Sequence, residues 1–187
     1  MIIIGLGNPG TQYKDTKHNM GYWILDKLAN QYGIEFKLGK HEYMYATGNQ
    51  MTLLKPLTFM NNSGLAIRDY IDYFNLQNKN ILVIYDDVDL PLGQIRFKSQ
   101  GSSGGQKGLE SIIYHLKTDN FFRLKVGIRT DQKIDQLTSY VLSPFHEESH
   151  DLVQEVLIHC CDAVEFLLEN NINEAMNQYN QKNKENH

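Results

Sequence analysis

The sequence has 187 residues, 41% of them apolar and 21% charged, the length and balance of one globular domain with a substantial core. No apolar run nears the roughly 18 residues that a membrane-crossing helix needs, and no basic segment precedes a long apolar one as in a secretory signal. The formal net charge of −4 argues weakly against a nucleic-acid partner, although a basic footprint belongs to one face and net charge does not decide it.

Residues 1–4 form a short apolar run that reads as a first strand and leads into Gly5-Leu6-Gly7-Asn8-Pro9-Gly10. This is the pattern G-x-G-x-x-G, but its context is wrong for a dinucleotide cradle. There the last glycine opens a helix whose N-terminus meets the pyrophosphate. Here Pro9 biases Asn8 toward an extended or turn conformation. The residues after Gly10 show no helical stripe, and the first helix pattern begins near Met20. The acid that should end a second strand is also missing, because Asp26 falls inside the helix pattern. The stretch reads instead as a Gly/Pro turn that holds Asn8 beyond a strand. A loop with Tyr13, Lys14, Lys17, His18 and Asn19 follows. His18, among polar neighbours just ahead of a helix, is either a candidate base or an ordinary surface histidine.

Leu25, Leu28 and Tyr32 then mark one helical face, and residues 42–47 and 52–55 read as strands. Lys55-Pro56-Leu57-Thr58-Phe59-Met60-Asn61-Asn62-Ser63-Gly64 connects a strand to a helix striped by Ile67, Ile71 and Phe74. Asn62 or Ser63 is expected to cap that helix, with an apolar staple beside it. That leaves Asn61 available as an amide donor or acceptor. Residues 81–85 are continuously apolar, as in a strand buried on both faces. Asp86, Asp87 and Asp89 follow, and three readings stay open: a metal site, one carboxylate that orients a histidine, or turn chemistry. Residues 94–98 alternate, as in a strand with one wet face.

Lys98 to Ile113, KSQGSSGGQKGLESII, is rich in Gly and Ser and runs into a helix. Its glycines permit a loop with exposed backbone N–H groups, an anion site or a lid, though the spacing is not that of the P-loop. Lys98, Arg123, Lys125 and Arg129 add local positive charge. Leu109, Ile112, Ile113 and Leu116 stripe the next helix, and residues 123–128 read as a strand. Two more helices carry Val153, Val156, Leu157, Cys160, Val164 and Leu167, then Ile172, Ala175, Met176 and Tyr179. The adjacent Cys160 and Cys161 show neither disulfide nor zinc spacing, and they read as buried small hydrophobes in a reducing cytosol. Strands alternating with helices give an α/β class, with a mixed, largely parallel sheet flanked by helices. One domain spans 1–180, and a polar tail, 181–187, is expected to fray.

GLGNPG with Thr16-Lys17-His18-Asn19-Met20-Gly21, then KPLTFMNNSG, YDDVDLPLG and GSSGG-x-x-GL, in this order and at these intervals, resemble the bacterial peptidyl-tRNA hydrolase family. The Phe122 to Ile128 strand and the Tyr140 to Phe145 segment resemble it too. The resemblance implies hydrolysis, without a metal or other cofactor, of the ester joining a peptide to the 3′ ribose of tRNA. It implies His18 as the general base, Asp86 as its orienting partner, Asn8 as the reader of an acylated amino group and Asn61 as a contact near the ester. Tyr13, Phe59 and Met60 are expected at the substrate end, and Lys98 and Lys125 on the acceptor-end phosphate. A cytoplasmic monomer acting on peptidyl-tRNA, with no membrane partner, is expected. One departure stands out: Gln106-Lys107 replaces the family's His-Asn before Gly108. Lysine is a point charge with donors only, so it cannot act as an amide, but it can bind phosphate. The departure motivates an alternative, a non-catalytic RNA-binding protein on the same fold. A general esterase is a weaker reading, since no nucleophile-elbow serine motif is present. A basic face of Lys14, Lys17, Lys98, Lys107, Arg123 and Lys125 is expected.

Overall fold

The computed structural model describes residues 1–76 and 80–180, so the expected polar tail lies outside the described residues. The strands are β1 (Ile2–Gly5), β2 (Lys37–Leu38), β3 (Tyr43–Thr47), β4 (Thr52–Pro56), β5 (Ile81–Pro91), β6 (Ile95–Lys98) and β7 (Phe122–Arg129). The helices are α1 (Met20–Tyr32), α2 (Ser63–Tyr73), α3 (Lys107–Leu116), α4 (Leu137–Val141), α5 (His150–Glu169) and α6 (Ile172–Tyr179). The strands form one seven-stranded sheet in the order β2-β3-β4-β1-β5-β7-β6. β4, β1, β5 and β7 run parallel at its centre, while β2, β3 and β6 pair antiparallel toward the edges. This is the expected mixed, largely parallel sheet flanked by helices.

Because strand side chains alternate between faces, the apolar run of β1 feeds two cores. Ile3, Leu82, Ile84 and Leu124 pack on one face with Leu25 and Leu28 of α1 and Val156, Cys160 and Val164 of α5. Ile2, Ile4, Leu54 and Val83 pack on the other face with Ile67 of α2 and Leu109 and Ile112 of α3. Cys160 and Cys161 are free thiols, and burial pushes the Cys161 thiol up to about 12. They behave as small core hydrophobes.

β1 lies between β4 and β5, and the helices that follow β1 and β4 pack on opposite faces of the sheet. The chain therefore opens a crevice beyond the carboxyl ends of β1 and β5, where parallel sheets bind ligands. α1 is pressed against the end of β1. A Cβ on Gly21 would stand 2.5 Å from both Leu6 N and Leu6 O, so only glycine lets the helix carry the preceding turn this close to the strand.

Several local expectations are corrected. β5 does not stop at Tyr85. It continues beside β7 with Asp86 opposite Val126 and Asp87 opposite Gly127, and its register shifts only between Asp87 and Pro91. The acidic cluster is therefore held on a strand rather than in a loop. The cap foreseen from Asn62 or Ser63 is not made: Asn62 gives no side-chain cap, and the Ser63 hydroxyl donates to Met60 O at 2.9 Å. β2 and α4 were not foreseen.

Candidate active site

The turn that carries His18 is a short 3-10 helix, Lys17–Asn19, immediately before α1. Its residue Asn19 is buried and bonds the backbone of Asn8 on both sides. Asn8 N donates to Asn19 Oδ1 at 2.8 Å, and Asn19 Nδ2 donates to Asn8 O at 3.0 Å. The Asn8 side chain is fixed in turn by Met60, whose backbone N–H donates to Asn8 Oδ1 at 2.9 Å. A backbone N–H can only donate, so the oxygen of the Asn8 amide must face Met60. The Nδ2 amide is then left as a two-proton donor on a residue that lines a cleft of about 480 Å³.

His18 and Asp86 line the same cleft. His18 Nδ1 lies 2.8 and 2.9 Å from the two oxygens of Asp86. The side chains are 16% and 3% exposed. A carboxylate only accepts, so Nδ1 carries the proton and Nε2 keeps its lone pair. Burial pulls the imidazole pKa down, but the charge of Asp86 and its hydrogen bond outweigh this, and the net shift is upward. Asp86 and Asp87 have separate partners. Asp87 pairs with Lys125 through Oδ2, and its Oδ1 accepts from Asp89 N at 2.8 Å. Among the described residues, no group of three or more His, Cys, Asp or Glu is arranged to hold a metal ion.

Two further walls complete the cleft. One is the Gly-rich loop, Ser103 to Lys107, in which Gly104 and Gly105 take φ values of 59° and 83°. Gln106 ends it by capping α3, its Oε1 accepting from Leu109 N at 2.9 Å, while its Nε2 donates to Met60 Sδ at 3.5 Å. The other wall is α4 and its end, with Leu137, Thr138, Val141 and Leu142.

The predicted residues therefore divide. Asn8, His18, Asp86, Lys107 and Lys125 share the cleft. Met60 is buried beneath it and braces Asn8 and Gln106 instead of lining the wall. Tyr13 and Phe59 meet edge to face with centroids 6.2 Å apart. They, the exposed Asn61 and the exposed Lys98 are not among the cleft-lining residues.

The expected basic face is smaller than foreseen. Lys17 is fully buried. Arg123 is buried too: its guanidinium donates to Ser102 O at 3.2 Å, to Asp119 O at 3.3 Å and to Gly101 O, so it anchors the base of the Gly-rich loop. Lys125 is paired with Asp87. Lys107 is exposed but lies 3.0 Å from Glu110 Oε2. The role of Asn19 in holding Asn8, the capping role of Gln106 and the wall from α4 had no sequence signal of their own. Asn19 had one clue, a second amide beside the candidate base.

A family model described as peptidyl-tRNA hydrolase matches residues 2–187. Peptidyl-tRNA hydrolases of Clostridium botulinum (strain Alaska E43 / Type E3) and Thermoanaerobacter sp. (strain X514) are 40% and 43% identical over 183 residues. Those matches cover 96% of this chain and 95% and 98% of the relatives. The crystal structure of peptidyl-tRNA hydrolase from Acinetobacter baumannii superposes with a TM-score of 0.87 at 34% identity, covering 96% of this chain and 93% of that one.

Proposed function

Because this chain belongs to the peptidyl-tRNA hydrolase family, we propose that the His18–Asp86 pair is the base that drives its reaction. The reaction is hydrolysis of the ester between peptide and tRNA, which releases both. The observation that carries the assignment is the Nδ1 contact to Asp86 at 2.8 Å, which leaves Nε2 as the basic nitrogen in a cleft shared with Asn8.

Nε2 takes a proton from water as the oxygen attacks the ester carbonyl carbon. The imidazolium that forms is stabilised by Asp86 and then returns the proton to the leaving ribose oxygen. Amide and backbone N–H donors at the cleft stabilise the developing oxyanion. We assign Asn61 to the substrate backbone near the ester, and Tyr13 and Phe59, which meet edge to face, to the substrate end. Action on peptidyl-tRNA supports a cytosolic enzyme, and we propose that it works as a monomer.

Asn8 reads the blocked amino group. Its Nδ2 can donate to the carbonyl of a peptide amide, whereas a free aminoacyl ester offers an ammonium with donors only. Single-turnover hydrolysis of N-blocked and unblocked aminoacyl-tRNA tests this. Wild type is expected to release tRNA from the blocked form alone. Asn8→Asp keeps an oxygen for Met60 N but replaces the donor. It should slow the blocked substrate by roughly 10- to 100-fold, the 1–3 kcal/mol of an unmatched polar group. An unchanged preference in Asn8→Asp would remove Asn8 from recognition. Wild type that binds tRNA but releases none would restore the binding-only reading.

Lys98, Lys107 and Lys125 are the cations that we assign to the acceptor-end phosphates. With so few, tRNA affinity should fall only shallowly with salt, with a log–log slope of about −0.7 per phosphate held. Lys107→Asn is expected to flatten that slope by one contact. Affinity and slope both identical to wild type would show that Lys107 touches no phosphate.

A further inference from the structure

Lys17 is fully buried beside the base, and its ammonium is surrounded by neutral groups. Nζ donates to Ser143 Oγ at 2.9 Å and to Pro144 O at 2.7 Å, with Ser143 O at 3.5 Å. It also sits 4.4 Å from the Tyr140 ring centroid and 5.1 Å from that of Phe145. The backbone repeats the link, Lys17 N donating to Ser143 O at 3.0 Å. Burying an ammonium without a carboxylate is costly and persists only where hydrogen bonds and geometry compensate. All three ammonium protons have an acceptor here.

The acceptors belong to the segment that continues from α4. The Ser143 hydroxyl passes the link on, donating to Tyr140 O at 2.8 Å. The Tyr140 hydroxyl donates to Ile128 O at 2.8 Å, which ties the segment to the end of β7. α4 forms the wall of the cleft that Leu137, Thr138, Val141 and Leu142 supply. Among the described residues, Lys17 is thus the side chain that hydrogen-bonds the turn bearing His18 to the segment behind that wall.

We propose that Lys17 is a positioning residue for the reaction, an internal staple that sets the His18 turn against the α4 wall, and not a contact for RNA. The proposal rests on the reading of His18 as the base. Its consequence is geometric: without the staple, the imidazole and the wall that seats the ester lose their fixed relation. A displacement of about 1 Å in such a pair can cost roughly 10²-fold in rate.

The chain's single tryptophan reports on the same joint. Trp23 packs against Phe145 with ring centroids 6.2 Å apart, and its Nε1 donates to Lys14 O at 2.8 Å. The experiment measures kcat and KM on N-blocked aminoacyl-tRNA, with Trp23 emission, for Lys17→Met, Ser143→Ala and His18→Ala. Lys17→Met should lower kcat per folded enzyme by roughly 10²-fold, leave KM unchanged and red-shift Trp23 emission. Ser143→Ala, which keeps the ammonium and both carbonyls, should do the same to a smaller degree. If Lys17→Met does not fold, Ser143→Ala decides: lowered kcat with shifted emission supports the staple, and wild-type kcat overturns it. A loss confined to KM, or wild-type kcat in Lys17→Met, also overturns it. Wild-type activity in His18→Ala would instead defeat the reading of the base. An inactive His18→Ala beside a fully active Lys17→Met would defeat the staple alone.

Discussion

His18→Ala is expected to lower the single-turnover rate of tRNA release by roughly 10²- to 10⁴-fold, the usual worth of a positioned general base. tRNA affinity should stay unchanged, because the lysines proposed to hold phosphate lie on other elements. The comparison belongs at mildly alkaline pH, for a reason of sign. The folded His18 pKa is raised above its ordinary 6.5. A raised histidine pKa stabilises the folded state fully below the unfolded value, and that contribution fades as pH rises through the folded value. At alkaline pH the charged pair therefore contributes little to stability, and a rate loss measured there reports chemistry. Residual folding defects would show as lost tRNA binding. Release at the wild-type rate by His18→Ala would require a different base.

The parts of the fold that sequence made legible were those whose pattern follows burial. Residues 81–85 announce a central strand because both faces are covered, and the stripes of α1, α3 and α5 announce helices because one face is. β2 had no such signal, since both Lys37 and Leu38 are exposed. α4 is five residues long, and only Tyr140 in it is buried. The extension of β5 was hidden by chemistry: three carboxylates end the apolar run and leave metal, orienting and turn readings open until β7 supplies a pairing partner. In the site, Asn8 and His18 were visible as polar groups in the loop beyond β1, where parallel sheets bind, and Asp86 as a carboxylate that follows the apolar run of β5. The cations misled. Lys17 and Arg123 look like surface charge in a one-dimensional reading. A lysine beside a candidate base gives no hint that carbonyls from residues about 126 positions away enclose it. An arginine opening a strand gives no hint that it anchors a loop. Asn19 was missed as a functional group for a related reason: its task is to hold the Asn8 backbone, and that is a pairing across the fold.

Asp86→Asn separates two contributions that His18→Ala removes together. The carboxylate does two things to the imidazole. It fixes the proton on Nδ1, and it raises the pKa against a burial effect that alone would lower it. An asparagine of the same shape can present its N–H₂ to Nδ1, which favours the tautomer with the proton on Nε2 and so points a donor at the water that must be deprotonated. The plateau rate should fall by roughly 10²- to 10⁴-fold. The pH profile should move in a direction of its own. Wild-type activity requires neutral imidazole, so its acid limb should have a midpoint above the ordinary 6.5. With the charge of Asp86 gone, burial dominates, the pKa falls, and the limb shifts to lower pH. The variant is then slower at every pH yet keeps its own plateau further into acid. General weakening of the site would lower the plateau and leave the midpoint in place. A lowered plateau with a shifted midpoint therefore assigns both tautomer and charge to Asp86. An unmoved midpoint would mean that the carboxylate orients His18 without tuning it.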